Sequence, residues 1–234
     1  MTILRYDQVP AISKGFSQKG QDSFIEYTFD KIGTTNKYYV EFGATDWPEL
    51  SNTAYLHMNG WNGLLMEGDE QYSRHVNNTT INYHMEWISK DNICDLFDKH
   101  SVPKSPDFVS IDLDGMDYWI TDAMFNKYSP RVIMVENNVR FEPYESQTRK
   151  YDINWLWSNN GWYGASPYAF KKMFNSHGYT PVWIHSDDMI AIRNDVLVDN
   201  GYEFTDWDIV YPASRSELYW DHNGEYNHEE WESV

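Results

Sequence analysis

Phe108-Val109-Ser110-Ile111-Asp112-Leu113-Asp114-Gly115-Met116-Asp117 begins as an apolar run and stops at three acids and a glycine. An apolar run of this length reads as a buried strand, with the acids at its carboxyl end. In open α/β sheets that end is where ligands bind. Three carboxylates packed so closely repel one another, so a positive group or a set of hydrogen-bond donors is expected to share the space.

Outward from this stretch, apolar runs alternate with helical patterns. Tyr38–Phe42, Gly63–Met66 and Val132–Val135 read as further short buried strands. Ser23–Ile32, Ser51–Asn59, Asn92–His100 and Tyr118–Lys127 read as helices, with Asn92 as an N-cap and Gly33 as a helix stop. Ser166-Pro167 opens a late helix with a cap followed by proline, and Gly178 closes it. Tyr179–Ile184 and Met189–Ile192 are joined by the polar link His185-Ser186-Asp187-Asp188, which predicts an antiparallel hairpin. The expected fold class is α/β: a mostly parallel sheet with helices on both faces.

The chain has 234 residues, enough for one domain with a substantial core. A formal net charge of -18 repels phosphate backbones and anionic lipids, so neither a nucleic-acid nor a membrane partner is expected. Aromatic residues make up 17%, too many for a disordered acidic chain; core packing is their first reading and a platform for sugar rings the second. Cys94 is the single cysteine and lies in a helical apolar pattern with Ile93, Leu96 and Phe97, which reads as a buried structural thiol. The amino terminus lacks a secretory pattern and no stretch suits a membrane span, so a cytoplasmic protein is the default expectation. On that default the glycosylation sequons in Asn77-Asn78-Thr79-Thr80 are only a polar turn.

The other strand ends also carry acids. Glu41 and Gly43 follow the first strand, and Glu67, Gly68 and Asp69 follow the second. An acid at the end of strand two can accept both ribose hydroxyls of an adenosine-type ligand, and Glu67 lies 26 positions after Glu41, near the spacing such folds require. Solvated strand-end acids are the bland alternative. The G-x-G-x-x-G fingerprint is absent. Around Asp112 a calcium loop fails by counting, since its sixth residue is Asp117 and its twelfth Ala123. The D-x-D pattern Asp112-Leu113-Asp114 also fits a metal-dependent glycosyltransferase. Adjacent strands would bring Asp112 or Asp114 near Glu136 and Asn137 or Asn138, hard oxygen donors suited to Mg²⁺, Mn²⁺ or Ca²⁺. Such a group can bind a metal, bind sugar hydroxyls directly, or only order the strand ends.

Several segments in order resemble FkbM-like methyltransferases, a group of class I S-adenosylmethionine-dependent enzymes. They are Ser17-Gln18-Lys19-Gly20-Gln21-Asp22, Val40-Glu41-Phe42-Gly43-Ala44, Leu50-Ser51-Asn52-Thr53, Asn59-Gly60-Trp61-Asn62-Gly63-Leu64-Leu65-Met66-Glu67-Gly68-Asp69, Ser110 to Tyr118, and Tyr163-Gly164-Ala165-Ser166. The resemblance runs from about Gly15 to Asp195. It implies a Rossmann-like seven-stranded sheet with its last strand antiparallel, in a methyltransferase domain over residues 1–200. Residues 201–234 are then an acidic, aromatic extension packed on the domain or acting as a lid.

The resemblance also implies roles. Glu41 and Gly43 form the first cofactor motif, Glu67 holds the ribose, and Gly68 and Asp69 follow it. Trp87, Ile88 and Ser89 flank adenine; Gln18, Asp22 and Asn52 lie near the methionine end; Asp112, Leu113 and Asp114 lie beneath the transferring methyl. The sequence departs from the family after Gly43, where Ala44-Thr45-Asp46-Trp47 replaces further glycines.

The function implied is O-methylation of a sugar hydroxyl, in a glycan or glycosylated small molecule, by a monomer or homodimer. An alcohol acceptor must lose a proton, so a base or a metal is needed. Asp112 and Asp114 are the preferred pair, one as metal ligand and the other as base or second ligand, with Glu136 and Asn137 or Asn138 completing a Mg or Mn site. This is similar in part to catechol-type methyltransferases, with Glu-Asn in place of Asp-Asn. His185 is the alternative base. Trp155, Trp157, Trp162 and Tyr163 crowd one segment and offer faces for a sugar ring. The competing readings are the glycosyltransferase and a non-catalytic carbohydrate-binding protein.

Overall fold

The computed structural model describes residues 2–7, 9–77, 80–158, 161–211 and 226–234. Seven strands form the main sheet: β1 (Tyr38–Phe42), β2 (Asn62–Glu67), β3 (Tyr83–Met85), β4 (Phe108–Ile111), β5 (Val132–Glu136), β7 (Tyr179–His185) and β8 (Asp188–Arg193). Their order is β3-β2-β1-β4-β5-β8-β7. The first five are mutually parallel, while β8 runs antiparallel to both β5 and β7. This is the Rossmann-like sheet expected, with the 179–192 hairpin supplying the antiparallel strand. The order reverses between β1 and β4, which opens a crevice at their carboxyl ends.

Alternation along each strand divides the core in two. Val40, Phe42, Leu64, Met66, Val109, Ile111, Ile133 and Val135 face α3 (Ile93–Lys99), α4 (Asp117–Met124) and α5 (Pro167–Ser176). Tyr39, Leu65, Phe108, Val132, Met134, Ile190 and Ile192 face α1 (Gln21–Ile32), α2 (Ala54–Met58) and α6 (Asn194–Asp199). Burial on both faces is why these strands read as unbroken apolar runs.

Ser166 caps α5 by accepting from the Ala169 amide at 3.2 Å, and Pro167 is its first residue. Asn92 occupies the N-cap position of α3 but its side chain turns back: Oδ1 accepts from the Ser89 amide and Nδ2 donates to the Trp87 carbonyl. Cys94 is partly rather than fully buried, and burial pushes its thiol up.

A second, two-stranded sheet pairs β6 (Gln147–Arg149) with β9 (Trp231–Ser233). Trp231 is buried there beside Phe141 and Trp162. Short helix α7 (Trp207–Val210) packs on β7. Residues 212–225, within the expected extension, and Asn78 and Thr79, within the expected polar turn, lie outside the described residues. No helix among the described residues is long and apolar enough to cross a membrane.

Candidate functional site

A cavity of about 770 Å³ opens at the switch point. Gly43 sets its floor. This residue has φ +65°, and a Cβ there would lie 2.0 Å from the Asp112 carbonyl oxygen, so only glycine lets the β1 and β4 ends close on each other. Of the residues expected from the sequence, Gln18, Gly43, Asn52, Glu67, Gly68, Asp69, Trp87, Ile88, Asp112, Leu113, Asp114 and Glu136 all line this one cavity.

Glu67 closes β2. Its carboxylate accepts from the backbone amides of Thr45 at 3.0 Å and Asp69 at 2.8 Å. A carboxylate has about four acceptor positions, so roughly two remain for a ligand. Ile88 and Leu113 supply apolar wall on the same side, with Trp87 half exposed beside Gly68. Asn52 is buried; its Nδ2 donates to Ser110 Oγ at 3.2 Å, and its Oδ1 has no hydrogen-bond partner.

The loop after β4 is built by Asp117. Its two carboxylate oxygens accept from the amides of Leu113 at 2.8 Å and Gly115 at 2.9 Å, and it is wholly buried. The third acid of the cluster is therefore occupied in shaping the turn that presents the other two. Asp114 takes φ +56°, a left-handed conformation uncommon outside glycine. Gly115 lies under Trp155, whose ring would meet a Cβ at 1.9 Å.

Asp112, Asp114 and Glu136 each present a carboxylate oxygen within 4.8 Å of the others. Asp188 lies opposite Glu136 in the β5–β8 register, and Asp187 precedes it. Burial, then the charges of Asp114 and Asp188, raises the Asp112 carboxyl well above its ordinary range. Burial and Asp112 do the same for Glu136, whose Oε2 is buried without a partner. Asp114 is raised by burial and by Asp187. Asp188 is pushed up to about 7 by burial and Asp187, against a hydrogen bond from Gln21 at 2.5 Å. Lys19 is ion-paired with Asp187.

Other expected residues stand behind the wall. Glu41 is buried and accepts from Ser51 Oγ, the Asn52 amide and Thr53 Oγ1, so it fixes the segment that carries Asn52. Asp22 accepts from the amides of Phe16 and Ser17 and from Ser17 Oγ, fixing the loop that carries Gln18. Ser89 is buried and bonded to Asn92. Asn137 donates from its amide and its Nδ2 to the Asp187 carbonyl, which anchors the hairpin tip to β5. Asn138 is engaged with Gly161, Tyr163 and Arg140. His185 is exposed, its ring stacked on Phe24 and Trp183, and it does not line the cavity.

Of the aromatic segment, Trp155, Trp157 and Tyr163 line the cavity, whereas Trp162 packs on Phe141, Tyr226 and Trp231. Burial and Glu136 raise the Tyr163 phenol, so it stays a donor. Lys19, Gln21, Asp187 and Asp188 line the cavity unanticipated. The signal for the two acids lies in the hairpin link itself, where they follow His185 by two and three positions.

No protein-family model and no curated protein matches the sequence. Among solved structures the chain is similar to the MycE methyltransferase from the mycinamycin biosynthetic pathway in complex with Mg and SAH, at 14% identity and a TM-score of 0.45. That match covers 74% of this chain and 49% of the other, so this chain spans about half the length of MycE. It is also similar to the O-methyltransferase from Bacillus cereus in complex with SAH, at 15% identity and a TM-score of 0.47, covering 79% of this chain and 84% of that one. A precorrin-6y C5,15-methyltransferase from Geobacter metallireducens is similar at 14% identity and a TM-score of 0.42, covering 80% and 92%.

Proposed function

We propose that this chain is an S-adenosylmethionine-dependent O-methyltransferase of the FkbM-like kind, acting on a sugar hydroxyl of a glycan or glycosylated small molecule. One observation carries the reading: a single switch-point cavity joins an acid with spare acceptor capacity at the end of β2, Glu67, to a group of raised carboxylates at the ends of β4 and β5. The first half suits an adenosine ribose, with Ile88 and Leu113 against the base. The second suits an acceptor that must lose a proton.

Methyl transfer is an in-line displacement: the acceptor oxygen forms a bond to the methyl carbon as the carbon–sulfur bond breaks, leaving a thioether. S-adenosylmethionine supplies the electrophilic methyl on its sulfonium sulfur. Most of the rate comes from alignment of acceptor and donor. Asp114 takes the hydroxyl proton; its raised affinity for protons, from burial and Asp187, moves it toward the range useful to a general base. Trp155, Trp157 and Tyr163 present ring faces and a phenol donor to the sugar.

The acid cluster also fits Mg²⁺ or Mn²⁺. Three hard carboxylate donors converge, and the partnerless Glu136 Oε2 is a buried oxygen that a cation would satisfy. Asp112 and Glu136 would hold the ion, with Asp114 beside it kept as the base. When bound it lowers the pKa of an acceptor hydroxyl.

Calorimetric titration with S-adenosylmethionine and with nucleotide sugars tests the reading. Binding of the methyl donor, followed by label transfer to a glycan array, is expected. Tight binding of a nucleotide sugar without binding of the methyl donor overturns it in favour of glycosyl transfer.

A further inference from the structure

Tyr151, Ile153, Trp155, Leu156 and Trp157 line the cavity, yet residues 150–158 form neither helix nor strand. Ile153, Leu156 and Trp157 are exposed, so burial does little to fix them. Trp155 is the anchor of this wall. Its ring lies against Gly115, in the turn that presents Asp112 and Asp114. The Asp152 amide donates to Met116 Sδ at 3.4 Å, which ties the start of the segment to the same turn.

The Trp155 ring also carries a cation. Arg149 Cζ lies 4.4 Å from its centre. Arg149 is 6% exposed, and a buried guanidinium must be paired. Its Nη2 donates to Glu230, and its Nη1 donates to the Trp162 carbonyl at 3.4 Å. Glu230 immediately precedes β9, and its carbonyl accepts from the Lys150 amide at 2.8 Å. Trp231, the first residue of β9, pairs with Arg149 in register, its ring centre 5.8 Å from Cζ. On the other side, Trp119 of α4 donates from Nε1 to the Arg149 carbonyl at 2.8 Å. One side chain therefore joins β9 to the aromatic wall. A planar guanidinium can stack on a ring and keep its ion pair, which an ammonium on a flexible stem does poorly.

We propose that Arg149 is a positioning residue for the acceptor: held by Glu230 and Trp231, it clamps Trp155 on the Gly115 turn, so that β9 sets the wall on which the acceptor lies. This rests on the methyl-transfer reading above. The clamp acts on the acceptor side of the cavity, away from Glu67.

The test uses the full chain labelled with 5-fluorotryptophan, the Trp155 resonance being assigned with Trp155→Phe. Arg149→Lys keeps the charge and loses the stack, and should shift that resonance. It should raise KM for the array glycan that is methylated best about tenfold, with a smaller change in kcat and S-adenosylhomocysteine affinity unchanged in calorimetry. Glu230→Gln should act in the same direction with smaller size, and it serves where Arg149→Lys fails to fold. In Trp155→Phe, adding Arg149→Lys should raise KM little further, because the two changes break one contact. An unmoved Trp155 resonance, an unchanged KM, or equal losses in KM and S-adenosylhomocysteine affinity overturns the proposal alone. Failure of the unaltered protein to bind S-adenosylhomocysteine overturns the methyl-donor reading and the acceptor role with it, while the fluorine shift still decides whether Arg149 clamps Trp155.

Discussion

Asp107 and Asp112 flank the same four-residue strand, one before Phe108 and the other after Ile111. Asp107 is wholly buried and fully served. It accepts from the amides of Thr35, Asn36 and Lys37, from Thr35 Oγ1, and from Arg131 at 2.9 Å. Burial pushes its carboxyl up, but Arg131 and Thr35 more than offset this and hold it below its ordinary value. Arg131 also donates to the carbonyls of Ile32 and Gly33, so one charge pair ties the end of α1 to the sheet. Asp112 has the reverse surroundings: it is only partly buried and faces further acids, with Glu136 Oε2 beside it left unpartnered. The acid at the amino end of β4 is satisfied, whereas those at the carboxyl ends of β4 and β5 face one another and Glu136 Oε2 has no partner. Unsatisfied groups of this kind persist where a ligand completes them.

The largest expected effect breaks the carboxyl edge without touching the fold. Asp114→Asn should lower methyl transfer by about 10²–10⁴-fold, the range for loss of a general base, with donor affinity kept. Asparagine tolerates the positive φ at this position, so the thermal midpoint should not fall. Unchanged turnover in a labelled-methyl assay removes Asp114 from the mechanism.

The amino edge should answer in the opposite way. Asp107→Ala leaves Arg131 buried without its partner and should cost about 3–5 kcal/mol in urea unfolding. A loss confined to activity, with stability kept, would reverse the assignment of the two edges.

Titration sharpens the contrast. Asp107 has a lowered folded pKa, so its stabilisation is complete above its ordinary value of 3.8 and is lost as pH falls through the lower folded value. Asp188 is raised to about 7, so its contribution is complete below 3.8 and is lost as pH rises through about 7. With a chelator present, the thermal midpoint should decline between about pH 4 and pH 7, and Asp188→Asn should flatten that decline. An identical slope in the variant would show that the hairpin acids are not opposed in the folded state.

The smallest effect lies away from both edges. Ser166→Ala removes the α5 cap and should cost about 1 kcal/mol with no change in donor affinity.

The strands β1, β2, β4 and β5 were legible because burial on both faces leaves each as a bare apolar run. The α5 cap was legible because Ser-Pro acts within one turn. Strands β3, β6 and β9 were not: each has three residues, and β6 meets β9 only across more than eighty positions of chain. Within the site, Glu67 could be read from its place after a strand. Glu41 carries the same local mark, yet Ser51 and Thr53 fold over it, and no local pattern announces that. His185 and Asp187 sit two residues apart in one turn. The β5–β8 register sets Asp188 opposite Glu136 and brings Asp187 to the cavity, whereas His185 stacks on Phe24 and Trp183.

By itself the sequence determined the alternation of strands and helices, the crevice at the carboxyl ends, and an excess of acid there, because periodicity and charge are local properties of a chain. Only the tertiary structure decided which acids are satisfied. Asp117, Glu41 and Asp107 meet donors supplied by backbone turned toward them, while Asp112, Asp114 and Glu136 converge from two strands onto one cavity. A carboxylate's state depends on what surrounds it in space, and that depends on loops and register that no single segment encodes.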